Sequence, residues 1–177
     1  MRVSTVVRAA FVAVTATTAA ASGADIVSAL DNVDSATQKL QNIVNGWSGG
    51  LLGSLPILPQ SARVLSAIND GTDTANDSDP LTQDEALGIA TAVTTLSTTV
   101  NSTMTALINR HDDFEHLLLA PVVLIDLKLQ KKASDDMSAA IIAKVPAALQ
   151  GIASNLAAPI GASFDQAIEA FSLSNGI

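Results

Sequence analysis

The chain has no cysteine and no tyrosine among its 177 residues, and aromatics amount to only 3%. Without a thiol there is no structural disulfide, thiolate zinc site, iron–sulfur cluster or cysteine nucleophile. Charged residues are scarce too, at 15% against the roughly 25% usual in soluble domains. Nine Lys and Arg face 17 Asp and Glu, a net charge of −8 with a pI near 4.4. That balance argues against nucleic acid, whose backbone is met by clustered cations. Strand patterns are lacking as well, because the β-branched residues fall at helical rather than alternating spacing. The length suits one domain, too short for a large α/β enzyme.

What is present begins with an address. The opening MRVSTVVRAAFVAVTATTAAASGA carries Arg2 and Arg8, an apolar centre from Ala9 to Ala16, and then small residues at Ala19, Ala20 and Ala21. This is the order of a secretory signal peptide, 1–21, with cleavage expected after Ala21 and a cut after Ala24 as the alternative. Threonines interrupt it well short of the ~20 apolar residues of a membrane anchor. Processing leaves one domain, 22–177, in which seven basic residues face all 17 acids, a charge of −10 over 156 residues. Such a chain must hold itself together by packing alone. Asn76-Asp-Ser78 and Asn101-Ser-Thr103 are sequons, so Asn76 and Asn101 are glycosylation candidates.

In the mature chain the apolar positions Ile26, Leu30, Val33, Thr37, Leu40, Val44 and Trp47 step alternately by four and three. That spacing predicts one stripe on a first helix, ended by Gly46 and Gly49-Gly50. A second, shorter helix is expected from about Gln60 to Asn69. Residues 69–80, NDGTDTANDSDP, read by composition as a polar loop. Thr82 and Glu85 form a capping box for a third helix to about Asn109, rich in Thr and Ser outside its apolar stripe. Asp113–Lys132 is a fourth segment with the apolar run Leu117–Ile125, kinked or started by Pro121. Ser134–Asn155 and Ile160–Phe171 complete the set. The expected fold class is all-α, an antiparallel bundle of five or six helices with an internal apolar cavity.

Candidate chemistry is thin. Gly46-Trp47-Ser48-Gly49-Gly50 matches a G-x-S-x-G nucleophile elbow, but it follows a helix and lacks the strand-to-helix turn that motif needs. His111 and His116 are five apart, roughly 140° around a helix, which does not suit a shared metal; Asp112 and Asp113 read instead as a helix start. Asp70, Asp73, Asp77 and Asp79 do not follow the spacing of a calcium loop. No catalytic residue, metal site or cofactor is therefore expected.

The apolar run is the exception. Its plain reading is a core helix; the competing one is the wall of a cavity. Few aromatics, many alanines and threonines, and the interrupting Pro121 and Pro146 all point to unfilled interior volume. The lining expected for such a cavity is Leu96, Val100, Met104, Leu118, Val122, Ile125, Met137, Ile141 and Leu149. Met104→Trp and Ile141→Trp are expected to fill it. The hydroxyls of the third helix are the expected donors for a polar head group.

The order of segments resembles the fungal hydrophobic surface-binding protein family, which includes cell-wall galactomannoproteins. The resemblance is carried by DIVSALDNVDSATQKLQNIVNGW, by HLLLAPVVLIDLKLQKKASDDMSAAIIAKVPAAL and by the terminal FDQAIEAFS. Its most specific part is Lys144-Val145-Pro146 followed by Leu149. The resemblance implies a secreted, helical, non-enzymatic protein. Some members hold arachidonate or palmitate in an apolar tunnel, and others adsorb to hydrophobic surfaces and recruit polyester-degrading hydrolases. A fatty acid or similar lipid is thus the first expected partner. Hydrophobic surfaces and a secreted hydrolase are the alternative. The ending Ser174-Asn-Gly-Ile177 has neither a Ser/Thr-rich stalk nor the tail of a lipid-anchor signal, so free secretion is expected, with cell-wall association without a lipid anchor as the alternative. A monomer is expected.

Overall fold

The computed structural model of the chain describes residues 22–173. The secretory signal expected over 1–21 lies outside them. Five long helices carry the structure: α1 (Gly23–Gly46), α3 (Ile57–Asp77), α4 (Gln83–Asn109), α6 (Ala120–Lys144) and α7 (Gln150–Leu173). The short helices α2 (Leu51–Ser54) and α5 (His111–His116) lie in two of the connections, and a single 3-10 turn (Ala147–Leu149) leads into α7. There is no strand ladder among the described residues.

Consecutive long helices reverse direction and close into a ring, α1 against α3, α3 against α6, α6 against α7, α7 against α4 and α4 against α1. Two long-range hydrogen bonds fix the relation of α1 to α4. Gly23 N–H donates to Glu85 Oε1 at one end, and Arg110 reaches the carbonyl of Asn45 at the other. Both helices open with a complete capping box, Ser22 with Asp25 and Thr82 with Glu85. These hydrogen bonds, from backbone N–H first and hydroxyl second, hold both carboxyls below their ordinary range. Gly23 is needed at this junction, since a Cβ there would lie 2.5 Å from Glu85 Cβ.

Every position of the predicted stripe on α1, from Ile26 to Trp47, is buried. Helix α3 corrects the expected loop. It runs to Asp77, so Asp70, Asp73 and Asp77 are helical and only Asp79 follows the helix. The buried set Ile57, Gln60, Ser61, Val64, Ile68, Gly71 and Ala75 continues the same three-and-four spacing through the polar stretch. Small residues in the later positions let α3 approach its neighbours, and a Cβ on Gly71 would lie 2.5 Å from Met137 Cε.

The prolines sort by position. Pro56 caps α3 and Pro121 lies in the first turn of α6, where a missing N–H costs nothing. Pro146 separates α6 from the turn before α7, so the fifth segment expected at Ser134–Asn155 is divided there. The last helix does not begin at Ile160 as expected; α7 starts at Gln150 and runs through Pro159. The aromatic rings Trp47, Phe114 and Phe171 gather at one end of the ring of helices. Their centroids are 4.5 Å apart (Trp47–Phe114) and 5.9 Å apart (Phe114–Phe171).

An apolar cavity at the aromatic-free end

At the other end the ring is not filled. A cavity of about 460 Å³ opens between the first half of α4, the last third of α6 and the first half of α7, with Leu30 of α1 at its back. Helix α4 contributes Ala86, Leu87, Ile89, Ala90, Val93 and Leu96. Helix α6 contributes Met137, Ile141 and Ile142, with Val145 just beyond its end. Leu149, Ile152, Ala153, Leu156, Ala157 and Ile160 come from the α7 side. No aromatic ring lines it. Leu87 and Ile152 are exposed, which places the opening between the starts of α4 and α7. The same void explains α7: none of residues 150–159 is buried, whereas Ile160, Phe164, Ala167 and Phe171 are.

The volume falls within the 300–1,000 Å³ typical of small-molecule sites. An apolar cavity of this kind stays dry and admits apolar guests. If a methylene takes roughly the 30 Å³ share of a liquid water, the space suits on the order of 15 carbons. The polar side chains on its wall are Gln83, Asp84, Ser134 and Ser138. Ser134 and Ser138 are one turn apart on α6 and so share a face. Among the described residues no hydrogen bond engages either hydroxyl.

The expected lining residues separate into three groups. Leu96, Met137, Ile141 and Leu149 line the cavity. Val100 and Met104 do not. They border, with Phe164 and Gln130, a void of only about 20 Å³ in the packed middle of the bundle. Leu118, Val122 and Ile125 lie elsewhere, and here the structure corrects the expectation. Val122 is 42% exposed, Ile125 61% and Leu118 84%. The run Leu117–Ile125 begins after α5, so the stripe Ala120, Val123 and Leu127 faces the core while Val122, Ile125 and Leu129 face out.

The hydroxyls of the Thr-rich helix are also placed differently from expectation. Thr91, Thr94, Thr95, Thr98, Thr99, Ser102, Thr103 and Thr105 each donate to the carbonyl four residues earlier. They saturate their own backbone rather than serving a ligand. The polar groups that do reach the wall, Ser134 and Ser138, come from α6. The signal that could have found them is their i, i+4 spacing beside Met137 and Ile141.

Other candidates are accounted for locally. Ser48 is exposed between two helices, and Trp47 Nε1 donates to Gly50 O at 2.7 Å, closing that turn. His111, Asp112 and Glu115 bring ligand-type atoms within 4.8 Å of one another, whereas His116 is not among them. Both imidazole nitrogens already face carboxylates, Asp112 at 3.3 Å and Glu115 at 3.8 Å, and the ring packs edge-on against Phe171. Asn76 is exposed in the last turn of α3 rather than in a loop, and Asn101 is exposed on α4.

Fold and cavity together define a class: an all-α ring of helices around an aliphatic, ligand-sized space. Within that class, residues 23–143 match the family model described as Hydrophobic surface binding protein A, and the chain belongs to that family. It is 31% identical over 148 residues to Cell wall mannoprotein 1 of Aspergillus fumigatus, an alignment covering 84% of this chain and 51% of that protein. The chain thus spans about half the length of the curated relatives it matches. Its fold is similar to ligand-binding domain 1 of the Penicillium marneffei MP1 protein, solved in complex with arachidonic acids. That match has TM-score 0.80 at 22% identity, covering 84% of this chain and 98% of that one. AFMP4P, solved in complex with palmitic acid, matches at TM-score 0.81 and 21% identity, covering 84% and 99%.

Proposed function

We propose that the protein is a non-enzymatic lipid carrier that holds a fatty acid or similar long-chain lipid in the cavity between α4, α6 and α7. The supporting observation is the 460 Å³ aliphatic space, without aromatic rings and with polar groups only at four positions of its wall. Solved domains of the same fold hold arachidonic and palmitic acids, which supports the same use of the space here. The site is proposed as Leu96, Met137, Ile141 and Leu149 together with Leu87, Ala90, Val93 and Ile152. Native mass spectrometry of the protein from its secreting host should show an adduct of lipid mass. Delipidated protein should also take up an uncharged apolar fluorophore at micromolar concentration. A ligand-free mass spectrum together with no uptake refutes this reading.

The protein is proposed to act outside the cell as a monomer, after cleavage following Ala21. Ser22 caps α1, and a cut after Ala24 would remove that cap and the start of the first turn. Asn76 and Asn101 remain the proposed glycosylation sites, both with exposed side chains.

A second reading, adsorption to hydrophobic surfaces with recruitment of a hydrolase, is favoured by one observation. At the aromatic end, away from the cavity, Leu51, Leu52, Leu55 and Leu58 around α2, and Leu118, Val122, Ile125 and Leu129 around the start of α6, are all exposed. Leu58 and Val122 border one shallow crevice, which joins the two groups. Exposed apolar patches of this kind mark contact surfaces. Leu52→Ser with Ile125→Ser should lower adsorption to polystyrene beads and leave fluorophore uptake unchanged. Undiminished adsorption counts against the patch.

A further inference from the structure

We infer that the cavity selects lipids by the charge of the head group, taking an alcohol, an ester or a protonated acid and disfavouring an ionised carboxylate. This rests on the lipid-carrier reading and narrows its substrate class. The wall offers a bound head group one amide (Gln83), two hydroxyls (Ser134 and Ser138) and one carboxyl side chain (Asp84). No Lys, Arg or His lines the cavity. A carboxylate held there would lose water without gaining a cation, and at the mouth it would also meet Asp84. Hydroxyl and ester heads lose little, because hydroxyls and an amide can donate to them or accept from them.

Of the cations on the helices around the cavity, Lys39, Arg110 and Lys128 lie in the halves toward the aromatic end, and the others are held by carbonyls or carboxylates. Lys144, at the end of α6, donates to the carbonyls of Asn76 and Ser78 at 2.9 and 2.6 Å. Lys131 is paired with Asp135 at 3.0 Å and Asp165 at 3.7 Å, and Lys132 with Asp136. The other charges near the walls are acidic: Asp31 and Asp34 follow Leu30 on α1, and Asp165, the more distant partner of Lys131, lies on α7 beyond Ile160. The feature that favours an anion is the positive end of α4, at the mouth. That end already carries Asp84 and Glu85 in its first turn, with Glu85 closing the capping box.

The test compares dodecan-1-ol with dodecanoate as displacers of an uncharged apolar fluorophore from the delipidated protein, between pH 5 and pH 8. A fatty-acid carboxyl titrates near the glutamate value of about 4.3, so a site that takes only the protonated form binds about tenfold more weakly per pH unit above it. Dodecanoate should therefore weaken at least tenfold between pH 5 and 7, while dodecan-1-ol stays within about twofold. The Asp84→Lys variant alters an exposed position outside the capping box of Thr82 and Glu85, and circular dichroism checks its fold. The variant should strengthen dodecanoate relative to dodecan-1-ol at pH 7.5, and an unchanged ratio of the two affinities overturns the head-group selection. Equal displacement by acid and alcohol at pH 7.5 overturns the head-group selection but leaves the lipid-carrier reading standing. If neither the fluorophore nor either lipid binds at any pH, both fall together.

Discussion

Ala90→Trp tests whether the cavity is the binding site. Ala90 is half-buried on α4 and its side chain borders the void, so an indole placed there grows into open space rather than into packed core. An engineered cavity of roughly 150 Å³ accepts benzene, and an indole is about half as large again, so the ring takes on the order of 200 Å³. That is nearly half of the 460 Å³ available. At roughly 30 Å³ each, the remaining space holds about eight or nine carbons, so about three or four methylenes of a twelve-carbon chain are displaced into water. With about 0.8 kcal/mol per methylene, the loss reaches about 3 kcal/mol, roughly a hundredfold in Kd. Even where half of the displaced tail finds cover on the exposed Leu87 and Ile152, a loss of about tenfold remains. Helix propensity costs the variant about half a kcal/mol, which burial of the indole offsets, so circular dichroism and Tm should be little changed. Fluorophore displacement by dodecan-1-ol gives the Kd. A folded Ala90→Trp protein that binds the alcohol as tightly as the parent places the ligand elsewhere and refutes the cavity assignment.

Three further outcomes follow from the same geometry. Met104→Trp, unlike Ala90→Trp, enlarges a side chain beside a void of only about 20 Å³, so it should destabilise by about 1–3 kcal/mol in urea titration; an unchanged midpoint means that region is looser than described. Leu118 has φ 59°, left-handed backbone that costs a non-glycine residue about 1–2 kcal/mol, and it exposes its side chain there. Leu118→Gly should raise stability by up to about 1 kcal/mol after the added freedom of the unfolded chain is counted, and should weaken bead adsorption; lower stability would show that Leu118 packs usefully. Asp126 accepts from Ser61 Oγ and from Gln130 Nε2, at 2.8 Å for the latter, and burial outweighs these bonds in holding its carboxyl above the ordinary value. A raised value means its contribution to stability is fully present below the ordinary aspartate range and is lost as pH rises through the raised one. Asp126→Asn, which can accept the same bonds, should remove that loss from the curve of Tm against pH. A curve of unchanged shape contradicts it.

How far the sequence speaks depends on what drives each element. The first helix was legible residue by residue, because seven positions at three-and-four spacing carry side chains large enough to announce a buried face. The capping box at Thr82 and Glu85 was legible for the same local reason, and the structure closes it with hydrogen bonds in both directions. Helix α3 was missed beyond Asn69 because its buried positions there are Gly71 and Ala75. Those residues announce nothing by hydropathy; they are buried because a neighbour comes close. The placement of Leu118, Val122 and Ile125 went wrong for the opposite reason. Nine apolar residues in a row carry no periodicity, so only the partners of α6 decide which of them turn inward. The cavity itself was suggested by scarcity of aromatics, but its position was not. That depends on the rings being collected at one end, a fact of tertiary packing.

Pro159 divides α7 into two halves that are held differently. It has no N–H to offer the carbonyl of Asn155, so the hydrogen-bond ladder of α7 is interrupted inside an otherwise continuous helix. On one side of that gap lie Phe164 and Phe171, sunk in the bundle and, at Phe171, seated against Phe114. On the other lie Ile152, Leu156 and the rest of the cavity wall, with solvent behind them and the void before them. The far half is held by core packing, and the near half has no buried residue before Ile160. Amide hydrogen exchange should therefore be faster over 150–158 than over 163–171, and equal protection would show that the cavity wall is as firmly held as the ringed end.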